Sequence, residues 1–205
     1  MSTKAFTPRI RLEHVISFSD AVFAFAITLM ALTIDIPDLS SNLTEPQLIE
    51  KLFDMSSQVE SYVLSFFIIA MFWISYHQVF NHIKDSYLSM VYLNLFFLLL
   101  ITLLSISTSL VITFDSYRVA YLIYYGVVIA ASTSLVVIWW YAIRINAVGE
   151  NLHPLFKKGL FVQLLVLPLV FLLSVIVSFV NLNIAQYFWL IIIPLSIYIR
   201  HKFKH

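Results

Sequence analysis

Asp20 sits where a carboxylate is hardest to keep. It lies in Ser17-Phe18-Ser19-Asp20, one to two turns into a long apolar run. A carboxylate at that depth must be hydrogen-bonded or must face water, because an unpaired one costs several kcal/mol. Its candidate partners are Arg11 and His14 upstream, and Trp73 and His77 in the next long apolar run. Trp73 and His77 are four residues apart and share one helix face. Two chemistries fit this set. One is a fixed Asp–His–Trp–Ser cluster that locks two helices together. The other is a proton relay or ion site in which Asp20 and His77 exchange charge. His77 and His82 are five apart, too far round one helix to share a metal. There is no Cys and no G-x-S-x-G nucleophile turn, so no catalysis, cofactor or resident metal is expected.

These residues are carried by an all-α integral membrane protein. Of the 205 residues 61% are hydrophobic and 11% charged, where soluble domains run at about 45–50% and about 25%. Runs of 16 residues and more exclude outer-membrane strands, which are about 9–11 residues long. Six spans are expected: Val15–Ile36, Ser57–Asn81, Tyr87–Phe114, Ala120–Arg144, Phe161–Phe179 and Ile184–Ile199. They account for one unit over residues 1–205, with short tails and a single longer outer loop, 37–56. In that loop Thr44-Glu45-Pro46-Gln47 reads as a capped helix start. Leu48, Leu52 and Met55 follow on one face, as in a short interfacial helix. Trp139, Trp140 and Trp189 are candidate interface anchors.

Lys and Arg set the orientation. Lys4, Arg9, Arg11, Lys84, Arg144, Lys157, Lys158, Arg200, Lys202 and Lys204 fall on the side of both termini, leaving only Lys51 and Arg118 opposite. Both termini are therefore expected in the cytoplasm. Asp35, Asp38, Glu45, Glu50, Asp54, Glu60 and Asp115 fall outside or at the outer boundary. An acidic outer mouth, with Asp35 and Asp38 nearest the first span, would concentrate cations. The formal net charge of +1 gives no basis for a nucleic-acid partner. The lipid bilayer is the partner that the composition implies.

Along the first span Phe18, Ala21/Val22, Phe25, Thr28/Leu29 and Leu32 recur at helical spacing and lead to Asp35/Ile36. Such a stripe either packs on a neighbouring helix, with Thr28 bonded to its own backbone, or lines an axis shared by several copies. In the second case it would form constrictions that close by excluding water. A proton-coupled secondary transporter built on Asp20 and His77 is the alternative reading. Against it, Pro168 and Pro194 do not pair between halves and no internal repeat is evident.

The stretch Phe18-Ser19-Asp20-Ala21-Val22-Phe23-Ala24-Phe25-Ala26-Ile27-Thr28-Leu29 resembles the Phe-Ser-Asp signature of the prokaryotic transmembrane-protein-175 family, relatives of the lysosomal potassium channel. Trp73 and His77 in Phe72-Trp73-Ile74-Ser75-Tyr76-His77 are similar to that family's second-helix Trp and His. The resemblance implies a potassium-selective channel in a prokaryotic plasma membrane. Four six-helix subunits would surround one pore, lined by the first helix and lacking a carbonyl filter loop. It implies narrow layers at Phe25, Leu29 and Leu32, with Thr28 as the hydroxyl linked to selectivity. Phe18, Ser19, Asp20, Trp73 and His77, with Arg11 and His14, would hold the pore helix. Two positions depart from the family pattern. An aliphatic first constriction is Phe25 here, unless the register shifts to Ile27 or Leu29. The Arg four residues before Phe18 is His14, which would make the network sensitive to pH near neutrality.

Overall fold

The computed structural model describes residues 10–34, 44–84, 87–149 and 152–202. Their secondary structure is helical: α1 (Leu12–Ala31), α2 (Glu45–Asp54), α3 (Ser56–Phe80), α4 (Leu88–Thr113), α5 (Arg118–Arg144), α6 (Pro154–Ser178), α7 (Leu182–Phe188) and α8 (Ile192–Lys202), the last two joined by a 3₁₀ turn at Trp189–Ile191. Six segments are long and apolar enough to cross a membrane: α1, α3, α4, α5, α6 and the composite Leu182–Ile199.

All six expected spans are present, with shifted ends. The first begins at Leu12 and stops at Ala31, short of the expected Ile36. The fifth starts at Pro154 instead of Phe161. His153 caps it, its Nδ1 accepting from the Leu155 N–H at 3.3 Å. Pro154 supplies the fixed φ of a first helical position, and Lys157 and Lys158 sit inside the first turns rather than in a loop. The sixth span is not one continuous helix. Pro194 has no N–H to offer Leu190 and its ring crowds that carbonyl, so the chain tightens into 3₁₀ geometry one turn earlier.

Packing runs from one edge of the bundle to the other. α1 and α3 pack on α4 and on each other, α4 packs on α5, α5 on α6, and α6 on the last span. The first and last spans are the least buried of the six. Lipid is as apolar as the interior, so close packing and internal hydrogen bonds hold such helices together. Small hydroxyl residues serve both ends. Ser132, Thr108 and Ser174 are buried and close onto their own i−4 carbonyls at 2.7, 2.9 and 3.1 Å, which lets neighbouring helices approach without stranding a polar atom.

The short helix α2 starts where the sequence places it. The Thr44 N–H and hydroxyl both lie within 3.0 Å of Gln47 Oε1. Leu48 and Met55 are half-buried, while Leu52 and Phe53 are exposed. On the opposite side of the bundle, an antiparallel bridge between Ile83 and Val148 ties the loops that follow α3 and α5. Of the expected interface tryptophans only Trp140 is exposed, and Arg144 stacks over its ring at 5.3 Å. Trp139 and Trp189 are buried. The Trp139 indole N–H reaches the Lys157 carbonyl at 3.2 Å and so helps fix α5 to α6.

Candidate functional site

α1 has two faces. Val15, Ser19, Phe23, Ala26 and Met30 point into the bundle. Phe18, Ala21, Phe25, Thr28, Leu29 and Leu32 are exposed, Leu32 at 80% and Phe25 at 63%. The stripe expected from spacing is therefore the uncovered one. Ile27 is half-buried against the core, so Phe25 and Leu29, not Ile27, stand on the open face. From Phe25 to Leu32 the exposed apolar stretch runs about 10 Å along the helix axis.

On the inner face Ser19 is fully buried and uses its whole bonding capacity. Its hydroxyl donates to the Val15 carbonyl at 2.8 Å and accepts from Tyr76 Oη at 2.8 Å and Asn94 Nδ2 at 3.0 Å. One hydroxyl thus joins α1, α3 and α4. The Tyr76 ring stacks on Phe80 at 4.1 Å and lies parallel to Phe97 at 5.9 Å, with Phe23 tilted against Tyr76 and Phe97. Deleting the hydroxyl would leave two buried donors stranded, the costly side of hydrogen-bond energetics.

Asp20, the next residue, belongs to a separate cluster at the edge of the open face. Its Oδ1 accepts from Trp73 Nε1 at 2.9 Å, and His77 Nε2 lies 2.9 Å from the same oxygen. Facing a carboxylate, that nitrogen carries a proton. The Trp73 and His77 rings meet edge-on at 4.5 Å, so each fixes the other's approach to Asp20. The expected Asp–His–Trp–Ser set is thus two networks back to back, with Ser19 bonded to Tyr76 and Asn94 instead. Tyr76 was not suggested by spacing. Asn94 carried a signal, being an amide inside the Tyr87–Phe114 run that needs a partner there.

Arg11 and His14 are exposed, and among the described residues neither bonds to Asp20. Arg11 instead precedes α1 and offers its carbonyl to the His14 N–H at 3.0 Å. Phe18 is 53% exposed and belongs to the open stripe, not to the polar cluster. Asp35 and Asp38 lie outside the described residues.

The Asp20 side chain is 43% exposed and that of His77 23%. By helical rise it sits about 12 Å in from Leu12. A half-exposed carboxylate at this depth would be expensive against acyl chains. The side of α1 bearing it therefore faces water or protein. Thr28 shares that side. Its hydroxyl donates back to Ala24 and Phe25, both carbonyls at 3.0 Å. With its proton turned to the backbone, its oxygen lone pairs point outward, the polarity that a cation requires.

The family model for the endosomal/lysosomal potassium channel TMEM175 matches residues 14–104, which hold both polar clusters and the open stripe. Over that stretch, somewhat under half of its length, the chain is similar to the TMEM175 family. Its fold is similar, with a TM-score of 0.75, to the crystal structure of a lysosomal potassium-selective channel TMEM175 homologue from Chamaesiphon minutus. The two share 22% identity over 95% of this chain and 98% of that one. Among curated proteins none matches this chain. The family match runs from the first span into the third, and the structural likeness covers nearly the whole chain.

Proposed function

We propose that this chain is one subunit of a potassium-selective cation channel, and that the open face of α1 lines its pore. The observation that carries the reading is that face itself. It is an apolar stripe with one outward hydroxyl and a half-exposed carboxylate at its edge, left uncovered in the stretch that matches a potassium-channel family model. Four copies around an axis would cover the stripe, and residues 1–205 act as one channel-forming unit. Phe25, Leu29 and Leu32 then form successive apolar layers that close the path by excluding water. Thr28 presents a ring of hydroxyl oxygens to a partly dehydrated ion between them. Ser19 and Asp20 fix the helix from behind and from the side, through Tyr76, Asn94, Trp73 and His77.

Asp35 and Asp38 act at the outer mouth by raising the local cation concentration. Charge asymmetry supports cytoplasmic termini in a prokaryotic plasma membrane. A proton-coupled transporter would use the Asp20–His77 pair as its carrier. In the bonded arrangement Trp73 shares the same carboxylate oxygen, which suits a fixed strut better than a site that must release its proton each cycle.

The test is flux from liposomes loaded with K⁺ and diluted into Na⁺, read by a pH dye with an uncoupler. Dye quenching that requires both protein and the K⁺ gradient, and that fails with a Na⁺ gradient, supports the reading. Equal Na⁺ and K⁺ flux removes the selectivity claim. Flux that moves protons only with a co-substrate favours the transporter.

A further inference from the structure

The two halves of α1 are held very differently. Its first half is bolted by hydrogen bonds from α3 and α4: Tyr76 and Asn94 to Ser19, Trp73 and His77 to Asp20. Beyond Asp20, among the described residues, one hydrogen bond from another helix reaches α1. Ser105 Oγ of α4 donates to the Ala26 carbonyl at 2.9 Å, a contact in which both residues are buried. Everything else on the outer half, Phe23 and Met30 included, is apolar packing, which is non-directional.

The same bond falls on an unusual turn. Within Ala24–Ala26 each carbonyl takes a side-chain hydroxyl besides its place in the helix. Thr28 donates to Ala24 and Phe25 from the open side, and Ser105 donates to Ala26 from the buried side. Hydroxyls that share a helix carbonyl weaken and bend the ladder locally. The turn thus lies between a bolted half and a loosely held one, directly beneath the Leu29 and Leu32 layers.

We infer that Ser105 is the latch of the pore helix. Its bond to Ala26 sets the position of the outer half of α1, which swings about the Ala24–Thr28 turn while the Ser19 and Asp20 half stays fixed. Ser105 touches neither the open face nor an ion, so it is a positioning residue. The inference rests on the channel reading only for its consequence, namely that releasing the latch moves the Leu29 and Leu32 layers apart and raises leak.

The chain contains no cysteine, so single cysteines report cleanly. Leu32→Cys marks the outer half and Ala21→Cys the fixed half. Each is placed in the wild-type, Ser105→Ala, Ser105→Thr and Ser107→Ala backgrounds and labelled in liposomes with a charged thiol reagent. Ser107 bonds only within α4, to Leu104 at 2.9 Å, so its loss controls for a missing buried hydroxyl. Loss of one hydrogen bond shifts a two-state balance about fivefold. Labelling at Leu32→Cys should rise by about that factor with Ser105→Ala, and Ser105→Thr, which keeps the hydroxyl, should restore the wild-type rate. Ala21→Cys and the Ser107→Ala background should not change. An equal rise at both cysteines, or none at Leu32→Cys, overturns the latch.

K⁺ flux measured on the same proteins separates the two claims. A labelling change without flux in any background keeps the latch and removes the channel. Flux that Ser105→Ala leaves unchanged, with unchanged labelling, does the reverse. Should Ser105→Ala not fold, hydrogen exchange on the wild-type protein decides: amides 27–32 must exchange faster than 16–23. Uniform protection along α1 overturns the proposal.

Discussion

Asp20→Asn is the sharpest probe of how α1 is anchored. It keeps the shape of the side chain and an oxygen at Oδ1, and it removes the charge. In the wild-type protein that oxygen takes two donors at 2.9 Å, Trp73 Nε1 and His77 Nε2. Hydrogen bonds to a charged group contribute about 1.5–3 kcal/mol each, neutral ones about 0.5–1.5. Converting both from the first kind to the second would cost about 2–3 kcal/mol in a dry site. The Asp20 side chain is 43% exposed, so solvent screening reduces this to about 1–2 kcal/mol. For a chain of this length that corresponds to a fall of about 2–8 °C in Tm. Trp73→Phe removes one of the two donors, so the two substitutions should be coupled by about 1 kcal/mol in a double-mutant cycle. The assay is the temperature at which half of the purified protein leaves the monodisperse size-exclusion peak. Asp54→Asn, on exposed α2, serves as the control. Additive effects of Asp20→Asn and Trp73→Phe, or an Asp20→Asn protein as stable as wild type, would refute the strut.

Three further outcomes follow from the geometry. Leu29→Ser replaces a side chain on the open stripe, so K⁺ leak should rise at least tenfold in the liposome assay, whereas Met30→Ser on the inner face should lower Tm without raising leak. Thr28→Val keeps the shape and removes the outward oxygen; the K⁺ over Na⁺ flux ratio should fall toward unity, and Thr28→Ser should retain it. Tyr125 is 2% exposed and its hydroxyl has no partner among the described residues. Tyr125→Phe should therefore stabilise the fold by about 1 kcal/mol, read as a higher Tm, and a lower Tm would show that the hydroxyl is bonded.

Much of this architecture could be read from the chain itself, for reasons that differ by element. Long apolar runs in lipid admit only helices, so the six spans follow from length and composition. Helical spacing also marked the stripe on α1 but not whether it is covered, because a face that is not packed on its own bundle keeps the same period as one that is. The ends were less legible. Lys157 and Lys158 look like loop, yet long basic side chains extend toward the polar boundary from within a helix, and α6 starts ahead of them at Pro154. The anchor of α1 was half legible. Trp73 and His77 share a face and were expected at Asp20, where they are found. Tyr76 lies one residue from His77 on an adjoining face, and nothing in its spacing says that it meets Ser19. Arg11 and His14 were drawn toward Asp20 by charge and proximity in sequence. One turn of helix separates His14 from Phe18, and the direction of the side chains, not sequence distance, decides which groups meet.

The most direct test of the central claim is a cysteine scan of α1 in liposomes, with K⁺ flux read before and after a charged thiol reagent. Flux should be blocked at Phe18, Ala21, Phe25, Thr28, Leu29 and Leu32 and untouched at Phe23, Ala26 and Met30, a pattern with the period of the helix. Block that is absent throughout, or that falls equally on the buried positions, would contradict a pore lined by this face.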